Sequence, residues 1–61
     1  MDDNDIQVND FVKVHDISDR GLAHLEGRIG IVFRIIDVYH VKVRFPNNIE
    51  TIFAKRQLTK Q

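Results

Sequence analysis

Residues 39–45 alternate without a break, and this stretch constrains the fold more than any other. Tyr39, Val41, Val43 and Phe45 fall on one side; His40, Lys42 and Arg44 fall on the other. A two-residue period is the mark of a strand with one buried face. Pro46-Asn47-Asn48 follows at once. Proline presets φ for a turn, and asparagine tolerates the left-handed region. Ile49 to Phe53 then returns as a second strand. A three-residue loop sets the register. It pairs Phe45 with Ile49, Val43 with Thr51 and Val41 with Phe53 on the inner face, and Arg44 with Glu50 and Lys42 with Ile52 on the outer face. Opposite charges meet outside and mostly apolar groups meet inside, as a stable pairing requires.

The rest of the chain offers partners for this hairpin. Phe11 to His15 alternates, with Val12 and Val14 on one face, and reads as a half-buried first strand. Val8-Asn9-Asp10 before it is a tight turn. Arg28 to Ile36 is the most β-prone run, rich in isoleucine, valine and phenylalanine. Asp16 to Gly27 has no two-fold pattern and holds several turn formers, so a long loop is expected, pinned by Leu22 and Leu25. Ala54-Lys55-Arg56-Gln57 suits one 3₁₀ turn that delivers Leu58 to the core, with Leu58-Thr59-Lys60 as a short last strand. The expected fold class is all-β. It has five short strands, a long loop after strand 1 and a 3₁₀ turn before the last strand. Closure into a small barrel would remove the exposed edges of a flat sheet.

Size and charge narrow the choices further. A chain of 61 residues is one domain at most. It buries only about 60% of the surface its unfolded form exposes, so a stability of roughly 3–5 kcal/mol is expected. Cysteine is absent, which rules out disulfide staples and thiolate metal sites. The acidic start is unlike a signal peptide, and no apolar run could cross a bilayer. A cytoplasmic location without membrane insertion is expected. The formal net charge is zero but uneven: residues 1–10 hold four aspartates and no base, while all nine Lys and Arg lie beyond them against five acids. Residues 1–7 read as a disordered acidic arm and residues 8–61 as the folded domain. The arm is either a solvating tail or a mask that competes with an anionic partner.

Val12-x-Val14, a loop, then Gly27-x-x-Gly30-x-Val32 resembles the start of SH3-like barrels of the KOW type. Tyr39-x-Val41-x-Val43-Arg44-Phe45, with Phe53-Ala54 and Leu58 further on, resembles the photosystem I reaction-centre subunit IV family. The variable chain of ferredoxin–thioredoxin reductase has a similar plan. These anchors span residues 10–60. The resemblance implies a small SH3-like barrel. On the KOW side it implies contact with RNA, ribosome or RNA polymerase; on the photosystem side it implies docking onto a larger complex. Neither side implies chemistry done by the barrel. Each anchor also has a packing role. Gly30 is expected to face inward opposite Phe45, where a missing side chain makes room for the ring, and Gly27 to supply the unusual backbone that ends the long loop.

Candidate sites follow from the outward residues. His15, His24 and His40 lack the spacing of a metal site, and Ser18 lies in a turn-forming loop with no catalytic arrangement. No enzyme activity, metal, cofactor or small-molecule substrate is expected. His40, Lys42 and Arg44, joined by Lys55 and Arg56 and extended by Arg28 and Arg34, form a basic stripe. Its readings are an anion- or nucleic-acid-contacting surface or a solvated strand face with Arg44 occupied by Glu50. The second strand, the β-prone run, presents a conflict. If Gly30 and Val32 point inward, Ile31, Phe33 and Ile35 form an apolar outward row. Either the long loop covers that row, or the strand coils, or the row binds a partner. The expected function is a non-catalytic binding module or accessory subunit docking onto a larger protein or ribonucleoprotein complex. Its partner-binding residues are Ile31, Phe33, Lys42 and Arg44. The alternative is a KOW-type nucleic-acid binder using Arg28, Arg34, His40, Lys55 and Arg56.

Overall fold

The computed structural model describes residues 6–61. The strands are β1 (Phe11–Val14), β2 (Ile29–Ile35), β3 (His40–Phe45), β4 (Ile49–Ala54) and β5 (Leu58–Lys60). Single 3₁₀ turns lie at Ala23–Leu25, Pro46–Asn48 and Lys55–Gln57. All strands join one antiparallel sheet in the order β4-β3-β2-β1-β5. No ladder joins β4 to β5, so the sheet is open at that seam. No helix among the described residues is long and apolar enough to cross a membrane.

The β3–β4 hairpin has the register its sequence dictates. Phe45 faces Ile49, Arg44 faces Glu50, Val43 faces Thr51, Lys42 faces Ile52 and Val41 faces Phe53. The turn is built as its residues require, with Asn47 at φ 73° and Asn48 at φ 62°. Strand β3 begins at His40 and not at Tyr39, and β1 ends at Val14 and not at His15.

The core is thin and drawn from every strand. Val12 and Val14 of β1, Val32 of β2, Val41, Val43 and Phe45 of β3, Phe53 of β4 and Leu58 of β5 are all buried. The Phe45 and Phe53 rings meet edge to face, with centroids 5.9 Å apart; this arrangement suits their quadrupoles. The long loop between β1 and β2 is fastened by buried Leu25, with Ile17 and Leu22 packed beside it. Gly27 closes that loop at φ 85° while its N–H donates to the Val14 carbonyl at 2.8 Å. The turn at Lys55–Gln57 places Leu58 in the core, as expected.

The folded domain begins earlier than residue 8. Ile6 is 2% exposed and belongs to the core cluster. The following turn holds it there. The Gln7 N–H donates to an Asp10 carboxylate oxygen at 2.8 Å, the Asn9 N–H donates to the Val32 carbonyl at 2.7 Å, and the Val32 N–H donates to the Asp10 carbonyl at 2.9 Å. A core this small recruits an isoleucine from outside the sheet because each buried aliphatic side chain adds about 1.5–3 kcal/mol. Residues 1–5, with Asp2, Asp3 and Asp5, lie outside the described residues.

Gly30 carries the tightest constraint. A Cβ there would lie 2.6 Å from Val43 Cγ1, 2.8 Å from the Arg44 carbonyl oxygen and 2.9 Å from Phe45 Cδ1. One of those atoms is main chain, so the sheet itself would have to shift. Gly30→Val is therefore expected to cost about 1–3 kcal/mol through overpacking, a large share of what a domain this size holds. Urea melts of the two proteins measure it. Equal midpoints would show that the space opposite Phe45 is not filled as described.

Candidate binding face on the outer sheet surface

Strand β2 contains one residue more than its partner requires. Ile31 pairs with Arg44 and Val32 with Val43, but Arg34 then pairs with Lys42 and Ile35 with Val41. Phe33 is the extra residue of a β-bulge. Directly opposed residues point to the same side of a sheet, so the bulge reverses the strand's alternation. Upstream of it, Ile29 and Ile31 share the outer face with Arg44. Downstream, Arg34 takes the outer face beside Lys42, and Ile35 shares the inner side with Val41. The expected outward row of Ile31, Phe33 and Ile35 is thus broken. Ile31 and Phe33 are half-buried, and Ile35 is exposed only where the sheet runs out.

Two cations from the next strand cover Phe33. The Arg44 guanidinium carbon lies 4.5 Å from the Phe33 ring centroid, and Lys42 Nζ lies 5.8 Å from it. Both distances are within cation–π range. On β4, Glu50 completes the cluster. Its Oε2 accepts from Arg44 Nη2 at 3.0 Å and from Arg44 Nε at 3.3 Å, and its Oε1 lies 3.9 Å from Lys42 Nζ. Exposed pairs of this kind contribute about 0–1 kcal/mol each. Their main effect here is on geometry: Arg44 is held near an aromatic ring by a carboxylate on the neighbouring strand.

Beside this cluster the surface turns apolar. Phe11 is 58% exposed and pairs across β1–β2 with Ile31. A groove of about 410 Å³ runs between Phe11, Ile29 and Ile31 on one side and Arg44 and the Pro46–Asn48 turn on the other. Ile31 and Arg44 are expected here from the sequence; Phe11 and Ile29 join them in the folded chain. The signal was present: once Val12 and Gly30 point inward, Phe11 and Ile29 must share the other face.

The remaining basic residues divide between two ends of the molecule. Arg34, His40, Lys55 and Arg56 gather at the β2–β3 hairpin end, where the Lys55 N–H donates to the Tyr39 carbonyl at 2.8 Å. Arg28 sits before the other end of β2, its carbonyl accepting from the Val14 N–H. At about 3.3–3.4 Å per residue, the length of β2 separates it from Arg34. The expected stripe therefore loses Arg28. His15 lies 3.0 Å from Asp16, and His40 lies 2.9 Å from Asp37. No group of three potential metal-ligating side chains forms among the described residues.

Tyr39 does not point inward. It is 72% exposed and Val38 is 74% exposed. Strand β3 begins only at His40, and although Lys55 lies across from its main chain the Tyr39 side chain is left in solvent. Asp37 fixes this hairpin tip. Its Oδ1 accepts from the Tyr39 N–H at 2.8 Å and from His40 Nδ1 at 2.9 Å. The His40 hydrogen bond, then the Tyr39 amide, holds the carboxyl below the ordinary aspartate value of 3.8. Comparison with known proteins finds no matching family model, no matching curated protein and no matching solved structure.

The lowered Asp37 pKa fixes the sign of a pH effect. A carboxyl depressed on folding contributes stability above its unfolded pKa, and that contribution is lost as pH falls through the folded value. The Tyr39 amide resonance should therefore report an Asp37 midpoint below 3.8. A midpoint at or above the unfolded value would show that the carboxylate is not held by these donors.

Proposed function

We propose that this chain is a non-catalytic binding module or accessory subunit that docks onto a larger protein or ribonucleoprotein complex through the outer face of β2 and β3. The proposal includes the finer reading of the fold, an SH3-like barrel. The strand order, the long loop after β1 and the single 3₁₀ turn before β5 support that reading. The observation that carries the function is Phe33, half-buried under Arg44 and Lys42, with the same Arg44 lining a groove beside the exposed apolar residues Phe11 and Ile29. Aromatic and arginine side chains held together in this way are the usual carriers of interface energy. Arg44 arrives already oriented by Glu50, so less side-chain freedom is lost on binding.

A KOW-type nucleic-acid reading rests on a different observation. Arg34, Lys55 and Arg56 lie at the hairpin end without an ion-pair partner among the described residues. Lys42 and Arg44, by contrast, share Glu50. One carboxylate thus offsets part of the charge on the β3 face, which favours the protein-docking reading there.

Phe33→Ala separates the two roles Phe33 could have. It should weaken binding of the native complex by about 2 kcal/mol. Its stability cost should fall well short of the ~3–5 kcal/mol of a buried phenylalanine. Affinity capture from the native host, with and without nuclease, together with a urea melt of the same variant, measures both. An unfolded Phe33→Ala protein would return the residue to the core and remove the proposed face. Nuclease-sensitive capture would favour the nucleic-acid reading.

The acidic arm gives a second test. If it masks the basic surface, deleting residues 2–5, and leaving the core residue Ile6 in place, should delay elution from heparin. Rising salt should erase the difference. Unchanged elution would make the segment a solvating tail only.

A further inference from the structure

The two outer strands of the sheet end differently. Bonded and non-bonded pairs alternate along an antiparallel ladder. The Lys55 N–H donates to the Tyr39 carbonyl, which makes 39 and 55 a bonded pair. Counting by twos along the β3–β4 register, Phe53, Thr51 and Ile49 bond to β3. Glu50, Ile52 and Ala54 turn their main-chain groups away from it. The Ala54 N–H is taken by Gln57 Oε1 at 3.1 Å. Among the described residues, no other element bonds to the outward N–H and C=O groups of Glu50 and Ile52.

Exposed edges are normally blunted by shortness, proline, bulges or outward lysines. Strand β5 is blunted: it has three residues, and Lys60 at its end lies 3.4 Å from Asp10. Strand β4 is not. Its six residues include no proline, glycine or lysine, and its register with β3 is unbroken. Its one charge, Glu50, is drawn across the sheet to Arg44 and Lys42. Ile49 and Ile52 remain exposed on opposite faces.

We propose that the β4 edge pairs with the β4 edge of a second copy of this chain. The pairing is antiparallel, with the two-fold axis at Thr51. Glu50 of each copy then lies opposite Ile52 of the other, and all four outward main-chain donors and acceptors find partners. Faces are conserved, because Glu50 and Ile52 both belong to the outer side. Thr51 meets its own copy on the inner side, and threonine pairs favour that position. The self-complementary register is what selects a second copy over an unrelated strand. The same patch is used on both chains, so the contact closes at two, and the blunted β5 edge does not propagate it.

Sedimentation equilibrium of the full chain from micromolar to millimolar concentration tests this, alongside amide exchange. A monomer–dimer equilibrium is expected, with the Glu50 and Ile52 amides gaining protection as concentration rises. Ile52→Pro removes only an outward N–H, which an edge strand tolerates, and should weaken the dimer roughly tenfold or more. Ile52→Thr keeps the amide and should leave the dimer within a few-fold of the parent. A monomer at millimolar concentration would overturn the proposal. So would a dimer indifferent to Ile52→Pro, or protection of these amides that does not depend on concentration. Protection of the Glu50 and Ile52 amides in the unmodified chain decides the matter even if a variant fails to fold.

Discussion

The extra residue in β2 sets what each face of the sheet can be. Upstream, Gly30 and Val32 must face the core, because Gly30 lets the β3 backbone and the Phe45 ring approach to within contact. Without a bulge the alternation would continue, and Arg34 would fall on the inner side opposite Val41. A buried, unpaired guanidinium is not tolerable in a core of ten apolar side chains. The bulge at Phe33 resolves this by reversing the alternation, so Arg34 joins Lys42 outside and Ile35 joins Val41. It also leaves Phe33 without a directly opposed partner, and Arg44 and Lys42 settle over its ring. The candidate face is in this sense a by-product of keeping the core apolar.

Electrostatics then tune that face. One carboxylate, Glu50, serves two cations. The local surface is therefore mildly positive, and its strongest features are shape and apolar area. At physiological salt such exposed charges are screened within about 8 Å. Long-range attraction of a polyanion would fall to the hairpin end, where Arg34, Lys55 and Arg56 lie close to the apolar tip of Val38 and Tyr39. The two surfaces differ in character: one is a groove with an oriented guanidinium, the other a protruding tip clamped by Asp37.

The β3–β4 hairpin was legible in the sequence because three independent signals agree there: a two-residue period, turn residues with a conformational reason, and opposite charges in register. Gly27, Gly30 and the Lys55–Gln57 turn were legible for similar local reasons. The bulge was not, since both Phe33 and Arg34 are acceptable outward residues and only the partner strand decides which is extra. Tyr39 misled because it keeps the period of Val41 and Val43 although strand β3 begins only at His40. Ile6 was hidden by its acidic neighbours, Asp2, Asp3 and Asp5, which made the segment read as tail. In each case the missing information was tertiary, namely what lies opposite the residue and not what precedes or follows it.

The Lys55–Gln57 turn ties the core to the open seam. After this turn the chain does not return along β4 as a hairpin strand. Strand β5 instead runs beside β1, where Leu58 faces Val14 and enters the core. Gln57 reinforces the redirection twice. Its side chain accepts from the Ala54 N–H, and its carbonyl accepts from the His15 N–H at 2.8 Å. The last available strand is thus committed to β1, and β4 keeps a free edge. Among the described residues, the strand that completes the apolar core therefore extends the sheet beside β1 and does not close it against β4.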